Sequence, residues 1–451
     1  MIKSLLLENF RCFGGWNEIP IAPLTLLVGE NSAGKTTLLA GAKLAQEALL
    51  SPEFIDLNER PFFLGTFDDI VCRTKQAKPK TMSLGYSISL ATRDGHAVSH
   101  SLKEPAYVSA KYSGAQGEPR LEQWRISSGK YAVTIQRDSQ RFDRNVAEVT
   151  IGEQKISIPP ESVPPYIPSS VHYLAQFLRF MSERDGHRQP MLPGFELAKP
   201  LRRDDLLNLE ALAYALDDPQ IDQPVLASAP VRSTPKRTYD PLTEQRDPAG
   251  EHVSVLLSRH WPNHQSSDWS HVAIPLLQYA RQSGLFTDLE VERLGSQENA
   301  PTNPFRIKVR WDGGPSFNLM DVGFGVGQVL PVVVDTLSAF GGMLLLQQPE
   351  VHLHPRAQAE LGSFFARQAG TDRSPMIIET HSDYLVDRVR MEVRAGEFVG
   401  PEHVLILYFE KNESGISVHP IRLDSHGNLV GAPSGYRRFF MEEERRIMGL
   451  E

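Results

Sequence analysis

The segment Gly29-Glu30-Asn31-Ser32-Ala33-Gly34-Lys35-Thr36 satisfies the pattern G-x-x-x-x-G-K-[ST] at every position. At average residue frequencies a chain of this length meets that pattern by accident on the order of 1–2% of the time. The chemistry it points to is phosphate binding. Glycines let backbone N–H groups curl inward onto an anion, and the start of a following helix adds partial positive charge. Lys35 is placed to reach β- and γ-phosphates, and the Thr36 hydroxyl to ligate Mg²⁺.

Three later segments carry groups suited to the same task. The run 318–328 places Gly323, Gly325 and Gly327 ahead of a helical pattern, with Gln328 after them. The run 343–355 is an apolar strand that ends in Gln347-Gln348-Pro349-Glu350 and continues through His352 and His354. The run 376–383 is a second apolar strand that ends in Glu379-Thr380-His381-Ser382. Ser382 is suited to cap a following helix. His352 and His354 form an H-x-H pair with no third ligand nearby, which is a weak metal signal, and they are read as loop residues.

Elements must hold these groups in place. Residues 24–28 form a short apolar run suited to a buried strand before the loop, and 36–50 carry helical spacing after it. Residues 2–10 read as a first strand, closed by a Gly14-Gly15 turn. From about 82 to 157 alternating stretches broken by Gly95, Gly114, Gly129 and Gly152 indicate antiparallel strands. Residues 169–181 and 201–216 look helical, and 227–250, rich in Pro, Arg, Asp and Thr, reads as loop. Strands are expected at 305–311, 343–346, 376–379, 404–409 and 416–421, and helices at 325–340, 355–368 and 382–395. That alternation suits an α/β layer with a mostly parallel sheet.

Composition narrows the class. The chain has 451 residues, with 47 Lys+Arg against 55 Asp+Glu, for a net charge of −8. This argues against a generally basic nucleic-acid coat. At 41% hydrophobic and 23% charged it can build a core. Two cysteines, Cys12 and Cys72, are too few for a disulfide scaffold and fit a reducing cytoplasm. The best apolar run, 329–340, contains Asp335 and falls short of the roughly 20 residues a membrane span needs. The short apolar start is cut off by Glu8, Asn9 and Arg11, so no signal peptide is expected there.

The opening Leu5-Leu6-Leu7-Glu8-Asn9-Phe10-Arg11-Cys12-Phe13, followed by Val28 through Thr37, resembles the ABC-type ATPases of the SMC/RecF/OLD branch. The resemblance implies a P-loop ATPase head of α/β class formed by both ends of the chain, with an antiparallel β plus helical region inserted between. The corresponding boundaries are an N-terminal ATPase lobe at 1–80, an insertion at 81–225 and a C-terminal ATPase lobe at 226–451. It further implies ATP with Mg²⁺ bound between two heads of a homodimer or higher homo-oligomer. Nucleotide contacts would come from residues 29–37, including Thr37, and from Arg11. The 318–328 run stands where the signature loop belongs, so Gly325, Gly327 and Gln328 would meet the partner's nucleotide. The hydroxyl usual in such a signature is missing, since no Ser lies in 323–328.

The 343–355 run resembles the branch's acidic-acidic-Pro-Glu segment, with one departure. Gln347 stands where an acid steadies hydrated Mg²⁺, and Gln348 where an acid polarises the attacking water. An amide accepts no proton at neutral pH and lends the metal no charge, so hydrolysis should be slow unless another carboxylate substitutes. Glu350 is the first candidate and Glu379 the second, with a structural cap or ion pair as the other reading of Glu350. His381 looks like the switch histidine that reports the γ-phosphate. The catalytic set is thus Lys35, Gln348, Glu350 and His381, and the metal set Thr36 and Gln347.

Pro230-Val231-Arg232-Ser233-Thr234-Pro235-Lys236-Arg237 is the best basic cluster and resembles a Pro-x-Arg segment of defence-type ATPases. It reads either as a phosphate-facing segment or as a solvated loop. OLD-type nucleases carry a nuclease domain after the ATPase. About 70 residues follow His381, too few for such a domain, so nuclease activity is not expected here. The insertion lacks coiled-coil heptads. The expected protein is a cytoplasmic ATPase that controls a separate effector, with anti-phage defence as the setting. A nucleotide-gated scaffold with little turnover and a RecF-like DNA-repair ATPase are the alternatives.

Overall fold

The computed structural model describes residues 2–72, 79–90, 102, 104–137, 145–158, 160, 163, 167–182, 201–217, 219–241, 246–265, 269–295, 302–339, 341–371, 374–412 and 415–449. The chain divides into two compact units, Met1–Ile21 with Thr37–Val225, and Ala22–Thr36 with Leu226–Glu451. The units part at 225 and on either side of 22–36. They do not part at 80, because the antiparallel strands after it extend an N-terminal hairpin.

Strands are numbered along the chain. β1 (Ile2–Phe10) and β2 (Phe13–Pro20) form a hairpin, and β3 (Leu24–Gly29) belongs to the other unit. The strands β4 (Thr81–Ile88), β5 (Ala106–Ala115), β6 (Glu118–Ser128), β7 (Tyr131–Arg137), β8 (Asn145–Ile151) and β9 (Gln154–Ile158) follow. In the first unit these make one antiparallel sheet of order β2-β1-β4-β5-β6-β7-β8-β9. Alternation decides its faces. Along β5 the residues Ala106, Val108, Ala110 and Tyr112 are buried and those between are not. The Lys35–Leu50 helix contributes buried Leu38, Leu39, Ala42, Ala45 and Leu49 to this unit. The Tyr86 hydroxyl donates to its Ala42 carbonyl, and Tyr112 donates to the Pro52 carbonyl at 2.9 Å. The two expected helices of the insertion run Ile167–Ser182 and Arg203–Tyr214. The expected turn at Gly95 lies outside the described residues.

In the second unit the strands are β10 (Leu226–Ser228), β11 (Asp288–Arg293), β12 (Phe305–Arg310), β13 (Ser316–Asn318), β14 (Leu344–Gln347), β15 (Met376–Glu379), β16 (Val404–Asn412), β17 (Gly415–Leu423) and β18 (Leu429–Val430). The main sheet has the order β10-β14-β15-β3-β16-β17-β18. Its first four pairings are parallel, and β17 and β18 close one edge antiparallel. The Pro355–Ala369 and Asp383–Ala395 helices supply the crossovers around β15. All four residues of β14 and of β15 are buried, as expected of strands covered on both faces. Leu24, Leu26, Leu344, Leu346, Ile378 and Ile406 join one core with the Ser270–Ser283 and Phe324–Ser338 helices.

An N-terminal strand, β3, and strands from the C-terminal half therefore share one mostly parallel sheet, as the expected α/β fold class requires. Two features depart from expectation. The expected loop at 227–250 begins as an edge strand, β10. The Glu251–His260 and Ser270–Ser283 helices and the small sheet β11-β12-β13 fill a stretch in which only the strand at 305–311 is expected. Pro275 sits inside the second of these helices and interrupts the residue pattern that would announce it.

Candidate functional site

The loop 29–34 leaves the C-terminal end of β3 and the Lys35–Leu50 helix starts directly after it. β3 lies between β15 and β16, so the loop sits at the sheet edge where parallel strands direct their carboxyl ends. Gly29 has φ +131°, and a Cβ there would lie 2.2 Å from the Phe409 carbonyl oxygen on β16. Only glycine meets both demands. Gly29→Ala should lower the thermal unfolding midpoint, with a strain cost of roughly 1–3 kcal/mol. An unchanged melting curve would show that the loop relaxes freely.

Glu30, Asn31 and Ser32 are exposed, whereas Ala33 and Lys35 are buried. Lys35 Nζ donates to the carbonyls of Gly29 at 2.9 Å and Glu30 at 2.7 Å. Burial lowers its pKa, and the carboxylates of Glu379 and Glu30 oppose that shift. A buried ammonium held by two carbonyl oxygens, at a helix start and behind an exposed glycine loop, fits a polyphosphate. The Thr36 hydroxyl donates to Glu379 Oε2 at 2.8 Å. That leaves its lone pairs for a cation, so the donor set also fits Mg²⁺.

β14, β15 and β3 end in register, with Gln347 beside Glu379 and Glu379 beside Leu27. The side chain of Gln347 is buried and donates from Nε2 to the Ser228 carbonyl at 3.2 Å. It engages the edge strand, whereas Thr36 meets Glu379. Gln348 adopts φ +43° and its N–H donates to the Glu379 carbonyl at 2.8 Å.

Arg232 secures this turn. It is buried, and its guanidinium donates to the Gln347 carbonyl at 2.9 Å and the Gln348 carbonyl at 3.2 Å. Burial depresses its pKa to about 10, opposed by the Glu350 carboxylate. Neither expected reading of this basic cluster describes Arg232, which is neither solvated nor turned to an incoming phosphate. Lys236 and Arg237 are exposed and paired with Glu251 and Asp321. Sequence offered no signal for the burial of Arg232, because flanking prolines and charges look alike in a solvated loop and in a folded-in one.

Gln328 fixes Arg232 in turn. Its Oε1 accepts the Arg232 N–H at 3.2 Å, and its Nε2 donates to the carbonyls of Arg232 at 3.2 Å and Ser233 at 3.3 Å. Gln328 and Gly327 are buried, and a Cβ on Gly327 would lie 2.2 Å from Pro235. A Cβ on Gly325 would lie 2.7 Å from the His352 carbonyl. These expected nucleotide contacts are therefore engaged in packing within the chain, and close approach explains both glycines. The exposed part of the segment 323–328 is Gly323 and Phe324.

Glu350 is buried, and its Oε1 accepts the His381 N–H at 2.7 Å. Burial raises its carboxyl pKa, opposed chiefly by that backbone hydrogen bond. Through this bond Glu350 holds the turn after β15. The His381 residue itself is exposed, and Ser382 caps the Asp383–Ala395 helix by accepting the Leu385 N–H at 3.1 Å. His354 likewise caps the Pro355–Ala369 helix through Nδ1, and His352 stacks edge-on against Phe324. Among the described residues no cluster of three or more His, Cys, Asp or Glu is placed to hold a metal. Arg11 belongs to the first unit, where its guanidinium donates to the Leu64 carbonyl at 3.3 Å. Thr37 is also assigned there.

The family model described as "AAA domain, putative AbiEii toxin, Type IV TA system" matches residues 24–387. The chain belongs to that family. A stretch of 44 residues is 48% identical to the OLD nuclease of Thermus scotoductus, covering 10% of this chain and 8% of that protein. Among solved structures the chain is similar to an SMC head bound to the C-winged helix domain of ScpA, with TM-score 0.42 and 9% identity over 94% of this chain and 98% of that one. It is also similar to the SMC head domain from Thermotoga maritima, with TM-score 0.37 and 9% identity over 93% and 98% of the two chains. Among the described residues no helix is long and apolar enough to cross a membrane.

Proposed function

We propose that this chain binds ATP with Mg²⁺ at residues 29–36, hydrolyses it slowly, and pairs with a second copy of itself to control a separate effector in the cytoplasm. The observation that carries the reading is the Lys35–Thr36 start of a helix at the carboxyl edge of a parallel sheet, with Glu379 against the Thr36 hydroxyl. Backbone N–H groups of the loop and the Lys35 ammonium would hold the β- and γ-phosphates. Bound Mg²⁺ would neutralise charge on the phosphate oxygens. His381 is exposed close to this edge, on a backbone held by Glu350, which suits a group that responds to the γ-phosphate. The exposed helix start at Gly323 and Phe324 suits a contact with a second copy.

Defence against phage is the setting we favour for the effector. The family description names a toxin of a type IV toxin–antitoxin system, and the short match is to an OLD nuclease. One observation favours a nucleotide-gated scaffold instead, namely Gln348 in place of a proton-accepting acid. Phosphate release separates the two. Release by the wild type well above that of Lys35→Ala is expected, and release equal to that background would leave only the scaffold.

A further inference from the structure

The sheet edge holds a carboxylate that the Gln347 position lacks. Glu379 lies beside Gln347 in register on the neighbouring parallel strand, so the two side chains leave the same face of the sheet. The spacing between such strands is about 4.8 Å. Gln347 turns its amide to the Ser228 carbonyl, while Glu379 accepts the Thr36 hydroxyl proton at 2.8 Å. Glu379 is buried among β15, β3 and the helix start, and it also acts on Lys35 through its charge. We infer that Glu379 is the positioning carboxylate for the metal at this site, moved one strand over from the place where the sequence carries Gln347. The inference rests on the ATP reading above.

The physical role follows from the hydrogen bond. A hydroxyl that donates to a carboxylate presents its lone pairs away from it, toward the phosphate loop. The carboxylate fixes that orientation and adds a negative charge that favours a divalent cation. Partners that orient a metal-binding group in this way are typically worth roughly 10–100-fold in metal affinity. Glu350, held on the His381 N–H, makes no such contact with Thr36.

The test is an ATP titration followed by calorimetry, run with Mg²⁺ and with EDTA, on wild type and Glu379→Gln. The glutamine keeps an oxygen that accepts the Thr36 proton and removes only the charge, so a purely structural bond survives the change. The expected result is that wild type gains affinity with Mg²⁺ and Glu379→Gln loses roughly 10-fold or more of that gain, with affinity in EDTA unchanged. An undiminished Mg²⁺ gain overturns the inference. So does an equal loss in Mg²⁺ and EDTA, which assigns Glu379 a structural role. Absence of ATP binding by the wild type overturns the ATP reading itself, and this inference with it.

Discussion

Gln348→Glu is expected to raise phosphate release by roughly 10²-fold or more, the usual contribution of a positioned general base. The change is nearly isosteric and replaces an amide that accepts no proton with a carboxylate that does. The backbone needed to present it is already fixed. The Gln348 N–H donates to the Glu379 carbonyl and its own carbonyl accepts from Arg232. The positive φ of +43° at this residue is thus held from both sides. The new side chain should leave the turn in the direction of the old one, with Thr36 and Glu379 undisturbed. Steady-state phosphate release by the two proteins at saturating ATP measures the effect. An unchanged rate would mean that water is positioned elsewhere, and that the amide is not what slows the reaction.

Arg232→Ala should cost about 3–5 kcal/mol, the range for removing one side of a buried charged arrangement. Three hydrogen bonds from its guanidinium to the Gln347 and Gln348 carbonyls disappear. The Glu350 carboxylate loses the cation that acts on it. Gln328, however, keeps its bonds to the backbone of residue 232, so the segment itself should stay docked. Arg232→Lys should recover only part of the loss, because a compact ammonium cannot reproduce the fixed, planar geometry of the guanidinium fork. Thermal unfolding of the three proteins checks this, and a shift below about 1 °C in Arg232→Ala would remove the proposed support for the turn.

Much of the site was legible in sequence because its groups follow strand ends. An apolar run such as Met376–Glu379 announces a buried strand, and the residue after such a strand falls at the sheet edge. The loop 29–36 was legible for the same reason, with glycine and Lys35 at fixed spacing. The partner of Thr36 was harder to read. That Glu379 and not Gln347 faces it depends on strand order, and no local pattern states that β3 lies beside β15. The glycines at 325 and 327 are hard to read in sequence for a related reason. A glycine required by close packing against His352 or Pro235 looks identical in sequence to one kept for a ligand. The division into units was hidden as well, since β1 and β4 pair across a long stretch of loop, strand and helix only once the chain is folded.

ATP binding to the intact chain, measured by calorimetry in Mg²⁺ for wild type and Lys35→Ala, tests the central claim most directly. The buried ammonium of Lys35, held now by the Gly29 and Glu30 carbonyls, is the one side-chain cation of the loop 29–36. Saturable binding of ATP by the wild type, weakened at least roughly 10-fold in Lys35→Ala by loss of a charge-assisted contact, is the expected result. Equal binding by the two proteins, or none by the wild type, would contradict it.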